Sequence, residues 1–536
     1  MFRYIFRKLK LIKALNQLPD ICEENQAPNP NAPKALISKN LQENFAQISA
    51  IFHDSPDVVI RKFVIGDGRT EALIVNLEGM SEYKLINENI MGSLMREAGK
   101  PGTPEEITLE YLKNSAINLN GIKETTVMEE AVEAVLKGNT AFFLDGSNIA
   151  LIIKSQTWEH RAIQKSETEV NIRGPKEGFT ETLSVNISQI RRIIKDPALC
   201  IEGIKLGRRT RTEVGVVYIK DIADPKLVAE VWRRLRRIDI DAVLESGYIE
   251  ELIEDAPLSV FPTVGNTETP DKFAAKVLEG RVGILIEGTP FALTVPFLFV
   301  ESFQTAEDYY SRSYFSSLLR ILRALSLHLT VALPALYVAI VTFHPNVLPE
   351  ALLRTISITR EGIPFPAFVE ALLMGIIYEV FHEGIVHMPR TIAPSVSIIG
   401  ALILGQAVVN AGVISPIMII IYSLTAIMGF LLPTQTNSVT LLRIPVLIMS
   451  SLFGLFGILW SYVFVIIHLV SLRSFGVPYM APLMPMSVKD LKDSLIRLPW
   501  PMLKTRPQII DWKGSQRLED GLAPKPPTTK KSGGSE

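Results

Sequence analysis

The chain has 536 residues, with 55 basic and 56 acidic side chains and a formal charge of -1. That balance offers no electrostatic footprint for a nucleic-acid partner, and two cysteines, Cys22 and Cys200, cannot build a disulfide framework. The 47% hydrophobic content averages two unlike regions: about 300 residues of soluble composition, then a stretch from Ser316 to Pro482 with apolar runs that no soluble core needs.

The opening MFRYIFRKLKLIKALNQLPD scatters basic residues among apolar ones and lacks the uninterrupted apolar core of a secretory signal. It reads as a basic amphipathic helix, and Ala27 to Pro33 as a polar linker, so residues 1–54 form a helix-and-linker segment. The soluble half then repeats itself. Leu136-Lys-Gly-Asn-Thr-Ala-Phe-Phe-Leu-Asp-Gly resembles Leu278-Glu-Gly-Arg-Val-Gly-Ile-Leu-Ile-Glu-Gly at an offset of 142 residues. Arg69-Thr70-Glu71 matches Arg211-Thr212-Glu213 at the same offset, which argues for internal duplication over generic α/β patterning. Each copy reads as strands and helices ending in a hairpin, with Asp145-Gly146 as the turn signal. The expected fold is therefore an α/β soluble region of two related subdomains, 55–165 and 190–303, joined by a turn-rich connector, 166–189. Arg208, Arg209, Arg211, Arg233, Arg234, Arg236 and Arg237 make either a charged docking face or a solvated helix surface.

An all-α polytopic membrane domain is expected over 304–482, followed by a cytoplasmic tail, 483–536, disordered at its end. A bilayer core of about 30 Å needs roughly 20 apolar helical residues. Ala324–Phe343, Thr391–Leu442 and Ile444–Leu472 carry no Asp, Glu, Lys or Arg, and spans are expected near 321–343, 364–386, 394–413, 415–433 and 444–471. Arg312, Arg320 and Arg323 form a basic flank before the first span, and the tail is basic as well. Five crossings cannot place both flanks on the cytoplasmic side, so either one segment fails to cross or 283–303 enters the membrane, and four full crossings with both ends cytoplasmic are expected.

Glu370, Glu379 and Glu383 lie inside the second span. A carboxylate at mid-bilayer costs at least about 2.5 kcal/mol and normally faces a bundle interior or water. On a helix Glu379 and Glu383 are about 40° apart and Glu370 about 180° from Glu379, so the span must meet polar surroundings on two sides. The three are candidates for a cation pathway or a gating ion pair; Glu370 and Glu383 also suit the two interfaces. Gln406 and Asn410, four residues apart, are candidates for a pore lining or for hydrogen bonds between helices. Enzyme readings fail: His382-Glu383-Gly-Ile-Val-His387 spaces its second histidine one residue late for H-E-x-x-H, there is no P-loop, and cysteine spacing offers no zinc site. No catalytic residue, cofactor or metal is expected.

Short stretches in order along the chain resemble the A subunit of GerA-type spore germinant receptors: Arg173-Gly174-Pro175-Lys-Glu-Gly178-Phe179-Thr-Glu, Thr267-Glu-Thr-Pro270-Asp271, Glu307-Asp-Tyr-Tyr310, Arg360-Glu-Gly-Ile-Pro364-Phe-Pro366, Glu370-Ala-Leu-Leu-Met374 and Ser474-Phe-Gly-Val-Pro-Tyr479. The resemblance implies a multi-pass protein of the spore inner membrane with its N-terminal domain in the cytoplasm. It implies a homo-oligomer acting with a transporter-like B subunit and a lipoprotein C subunit as a nutrient-gated cation channel. A non-conducting scaffold or signal-transducing subunit, or an accessory sporulation channel of the same superfamily, are the alternatives. A secondary transporter would show an inverted repeat across the spans, and none is visible. Gly375 stands where the family often has Glu, and His382-Glu-Gly-Ile-Val-His-Met-Pro389 where it often has basic residues, which bears on any ion pair at that helix end.

Overall fold

The computed structural model describes residues 35–65, 70–97, 122–157, 172–387, 406–510 and 516–518, with single positions at 109, 112, 166, 169 and 400. The expected N-terminal basic helix, most of the 394–413 span and the end of the tail lie outside the described residues.

The soluble half is two antiparallel sheets of identical strand order. The first comprises β1 (Val58–Ile65), β2 (Thr70–Leu77), β3 (Lys123–Thr125), β4 (Thr140–Leu144) and β5 (Ala150–Ile153), arranged β1-β2-β4-β5-β3. The second comprises β6 (Leu199–Leu206), β7 (Thr212–Ile219), β8 (Gly265–Thr267), β9 (Val282–Ile286) and β10 (Ala292–Val295), arranged β6-β7-β9-β10-β8. β2, β3, β4 and β5 each recur as β7, β8, β9 and β10 exactly one repeat later, so the sequence offset is a structural repeat.

Helices repeat with the sheets. α1 (Leu41–Phe52) and α2 (Met128–Leu136) correspond to α3 (Leu183–Ile193) and α6 (Pro270–Leu278). Between them in the second copy lie α4 (Pro225–Arg237) and α5 (Ser246–Ile253). The correspondence reaches single hydrogen bonds. Asn44 Nδ2 donates to Ser38 O and its Oδ1 accepts from Ser38 N; Asn186 does the same with Thr180. Asp145 caps Leu41 N, and Glu287 caps Leu183 N. The boundaries thus move outward from the expected ones. Leu41, Ile48 and Phe52 pack on Leu73, Val75 and Val135, which makes α1 part of the first subdomain, not a linker. Likewise Leu183 and Ile190 of α3 lie in the second core with Val217 and Phe273. The two copies are joined by a buried ion pair: Arg191 Nε lies 2.7 Å from Asp57 Oδ2, with side-chain exposures of 1% and 6%, and Ser55 Oγ accepts from Arg191 and donates to Asp57.

The helical half contains α7 (Ser313–Phe343), α8 (Glu350–Arg360), α9 (Ala367–Val386), α10 (Pro416–Gly429), α11 (Thr436–Phe453) and α12 (Leu455–Ser471). α7 and α11 are long and apolar enough to cross a membrane, and α10 and α12 are shorter apolar helices. The single span expected over 444–471 is instead two helices folded against each other. Gly454 reverses the chain with φ +61° and ψ -140°, a conformation open to glycine. Gly457 then allows the two backbones to touch, since a Cβ there would lie 2.0 Å from Met449 O. Both far ends meet the soluble half at one place: Ser438 Oγ donates to Val260 O, and His468 Nε2 is 2.9 Å from Ser259 Oγ. Residues 283–303 finish the second sheet and a short 3-10 turn, Phe299–Phe303. Phe261, Phe297, Phe299 and Phe303 carry that core into the helical cluster of Leu327, Val331, Val446 and Leu469.

Candidate functional site

The three glutamates of α9 have different surroundings. Glu370 sits in the first turn and is fully buried. Its Oε1 accepts from the backbone N–H of Ser415, at 2.6 Å, and from the Ser415 hydroxyl, which also accepts from Met418 N at the start of α10. Arg360 Nη2 lies 3.7 Å from Oε2. One carboxylate thus meets the N-terminal ends of two helices and a guanidinium, all of which favour negative charge. Tyr422 of α10 donates to Ala371 O at 2.6 Å, and Gly375 gives its hydroxyl room. α9 and α10 therefore run side by side in the same direction.

Glu379, near the middle of α9, pairs with Arg443 of α11: Nη1 to Oε1 is 3.2 Å, with side-chain exposures of 37% for Glu379 and 8% for Arg443. Thr440 flanks the pair, and the guanidinium lies 5.6 Å from the Tyr378 ring centroid. Glu383 is exposed and reaches His387 at 3.0 Å. Gln406 and Asn410 are exposed on the single chain.

A second site links the two halves. Arg281 and Lys276 converge on Glu301, with Lys276 Nζ at 2.8 Å, and Arg281 also donates to Pro296 O. Burial alone would raise the Glu301 carboxyl; Arg281 and Lys276 overcome it and hold the pKa at about 2. Asp308 lies 2.9 Å from Arg320 and 3.0 Å from Arg323 of α7, and Arg320 also reaches Asp493 Oδ1, at 2.9 Å, and the carbonyls of Asp493 and Ser494. Of the expected interfacial flank, Arg312 is exposed, Arg323 is held by Phe303 O, Thr305 and Asp308, and Arg320 is enclosed because the tail folds back over it. Trp500 Nε1 donates to Tyr309 O, and Arg506 to Leu278 O, so the tail is docked on both halves through residue 510.

The motif residues gather at this junction. Tyr310 donates to Asp271 at 2.6 Å, and its ring would meet a Cβ on Gly174 at 2.7 Å, so only glycine fits beneath it. Phe179 stacks edge-on against Phe273, Gly178 O accepts from Gln189, and Pro270 starts α6. Arg173 and Pro175 are exposed. Pro364 and Pro366 lie apart from these, in the link entering α9, where Pro366 is its cap.

A family model described as Bacillus/Clostridium GerA spore germination protein matches residues 46–509. The chain belongs to this family. Spore germination protein KA of Bacillus subtilis is 41% identical over 494 residues, covering 92% of this chain and 90% of that protein. A Bacillus subtilis relative named uncharacterized membrane protein YfkQ is 38% identical, covering 92% and 94%. A crystal structure of the N-terminal domain of the A subunit of the Bacillus megaterium spore germinant receptor GerK3 is 35% identical and covers 50% of this chain and 99% of that one, with a TM-score of 0.41.

For this GerA-family chain, sequence reasoning found the membrane glutamates but missed their partners. Arg443 had a signal, being the one Asp, Glu, Lys or Arg between Thr391 and Leu472. The pairing of Arg320 with Asp308 and Asp493 had none, because its parts lie far apart in the chain.

Proposed function

We propose that the chain is the A subunit of a nutrient germinant receptor in the spore inner membrane, and that several copies form a nutrient-gated cation channel whose opening starts germination. A transporter-like B subunit and a lipoprotein C subunit complete the receptor. α7, α9, α10, α11 and α12 lie in the bilayer, and the chain crosses it an even number of times, leaving the soluble half and the tail on the cytoplasmic side. The reversal at Gly454 supports this count.

One observation carries the reading: Glu379 is left 37% exposed amid apolar helices, with Gln406 and Asn410 also exposed. Facing lipid, such groups are costly; surrounded by copies of the same helix they line a polar path. Glu379 and Arg443 form the gating pair, Gln406 and Asn410 belong to the lining, and Glu370 is a latch holding α9 to α10. Glu383 sits at the cytoplasmic mouth. The test is potassium release from spores carrying Glu379→Ala, with receptor assembly measured in parallel. Altered release with intact assembly is expected. Unchanged release would remove Glu379 from the path, and purified oligomers that pass no ions under nutrient and partner subunits would favour the non-conducting scaffold.

A further inference from the structure

We propose that α4 and the loop after α5 form a seat for anionic phospholipid headgroups. The proposal rests on the crossing reading above, because that reading sets where the bilayer surface lies.

The loop is fixed at the end of the last membrane helix. Ser259 meets His468, three residues before α12 ends, and Ala256, Val260 and Phe261 pack into the helical cluster. Between these anchors Leu258 is 101% exposed. A fully exposed leucine held at the height where α12 leaves the bilayer is placed to enter the interfacial layer.

α4 is held at the same height. Arg234 donates to Glu230, to Ile253 O and to Asp255, and lies 4.0 Å from the centroid of Phe475, in the turn that follows α12. Asp255 in turn accepts from Phe475 N at 2.6 Å. Arg234 is thus committed inside the protein, while Arg233, Arg236 and Arg237 are exposed around an open groove of about 1070 Å³ that Pro257, next to Leu258, also borders. Arg233 reaches Glu230 in an exposed pair that solvent weakens. Arg236 lies 5.1 Å from the centroid of Trp232, which packs against the second core and so fixes the base of this arginine row. Glu230, Asp255 and Glu254 border the groove too; the first two are paired with Arg234, and burial, with Glu251 and Asp255, raises the Glu254 pKa. Exposed Arg473 follows α12 directly. Continuity with the spans and the positive surface select a lipid phosphate over a protein partner, and each basic side chain beside an anionic leaflet contributes about fivefold in partitioning.

The test uses the full chain, with Cys22→Ser and Cys200→Ser, in nanodiscs of phosphatidylcholine with phosphatidylglycerol. An environment-sensitive fluorophore is attached at Leu258→Cys, at Ile467→Cys in α12, and at Lys62→Cys in the first subdomain. Headgroup-level spin-labelled lipid should quench the Leu258 probe and spare the Lys62 probe. Phosphatidylglycerol should be enriched over phosphatidylcholine among co-purified lipids, and Arg233→Gln/Arg236→Gln/Arg237→Gln should lower that enrichment at least about fivefold. An unquenched Leu258 probe beside a quenched Ile467 probe overturns the seat and leaves the crossing reading standing. If neither is quenched, the crossing reading fails and the seat with it. Enrichment unchanged in the triple variant also overturns the proposal.

Discussion

Replacing Arg320 with Met should release the tail from the first membrane helix without unfolding either. The guanidinium holds Asp308 at 2.9 Å on one side and, on the other, the Asp493 carboxylate at 2.9 Å and the Asp493 and Ser494 carbonyls at 3.1 and 2.9 Å. In the variant Asp308 keeps Arg323, and Asp493 keeps the Tyr309 hydroxyl at 2.9 Å. Neither carboxylate is orphaned, so the loss is that of the bonds themselves, not of an unpaired buried charge. Hydrogen bonds to charged groups contribute about 1.5–3 kcal/mol each. Of the three that reach the tail, Asp493 O still accepts from Gln304 Nε2, and the two to Asp493 Oδ1 and Ser494 O go unreplaced, for a cost of about 3–6 kcal/mol, partly offset by the packing of Met. At 1.4 kcal/mol per decade, the opening constant of the tail rises by roughly two to three orders of magnitude. Hydrogen exchange on the full chain in nanodiscs reads this directly in 490–500, where Arg497 N donates to Ser317 Oγ and Leu498 N to Lys492 O. Arg323→Met is the control, since its partners are Phe303, Thr305 and Asp308 and none lies in the tail. Unchanged exchange in 490–500, or an equal rise there and in β7, would refute this role for Arg320.

Four further outcomes are expected. Arg191→Met leaves Asp57 buried and unpaired and should cost about 3–5 kcal/mol in thermal denaturation, whereas Asp57→Leu with Arg191→Met should cost far less; equal losses would contradict a paired charge. The Glu301 pKa is held at about 2, below its unfolded value, so its contribution is complete above about pH 5 and lost as pH falls toward 2. Near-ultraviolet circular dichroism should show an acid transition in that window, shifted by Glu301→Gln. Glu250 behaves oppositely. Burial, then Glu254 and Glu245, raises its pKa to about 7, so stability falls as pH rises through that value, and Glu250→Gln should stabilise at pH 8 by on the order of 2 kcal/mol but not at pH 5. Gly457→Ala puts a methyl group against the Met449 carbonyl and should lower the folded yield on size-exclusion chromatography, while Gly429→Ala, which meets nothing within 4 Å, should not.

The repeat was legible because turn chemistry kept it so, yet its helical part went unread in plain view. Leu41, Asn44, Gln47 and Ile48 recur as Leu183, Asn186, Gln189 and Ile190, one repeat later. The polar members hid the match, since a buried asparagine in a helix looks like a surface residue until its two bonds to Ser38 or Thr180 are known. The span over 444–471 failed for a related reason. Hydropathy integrates over a window, and a single glycine whose ψ reverses the chain leaves the integral unchanged.

The membrane glutamates mark a deeper limit. Glu370 and Glu379 are the same residue type on the same helix, in equally apolar surroundings by sequence. What separates them is what arrives from elsewhere in the chain: the starting turn of α10 at Ser415 for one, Arg443 of α11 for the other. The first carboxylate is enclosed by helix N-termini and becomes part of the packing. The second pairs with Arg443 and keeps one side open, 37% exposed. Periodicity assigns a face to a carboxylate, but only the partner on that face decides whether the charge is enclosed or left partly open, and the partners here lie 45 and 64 residues away.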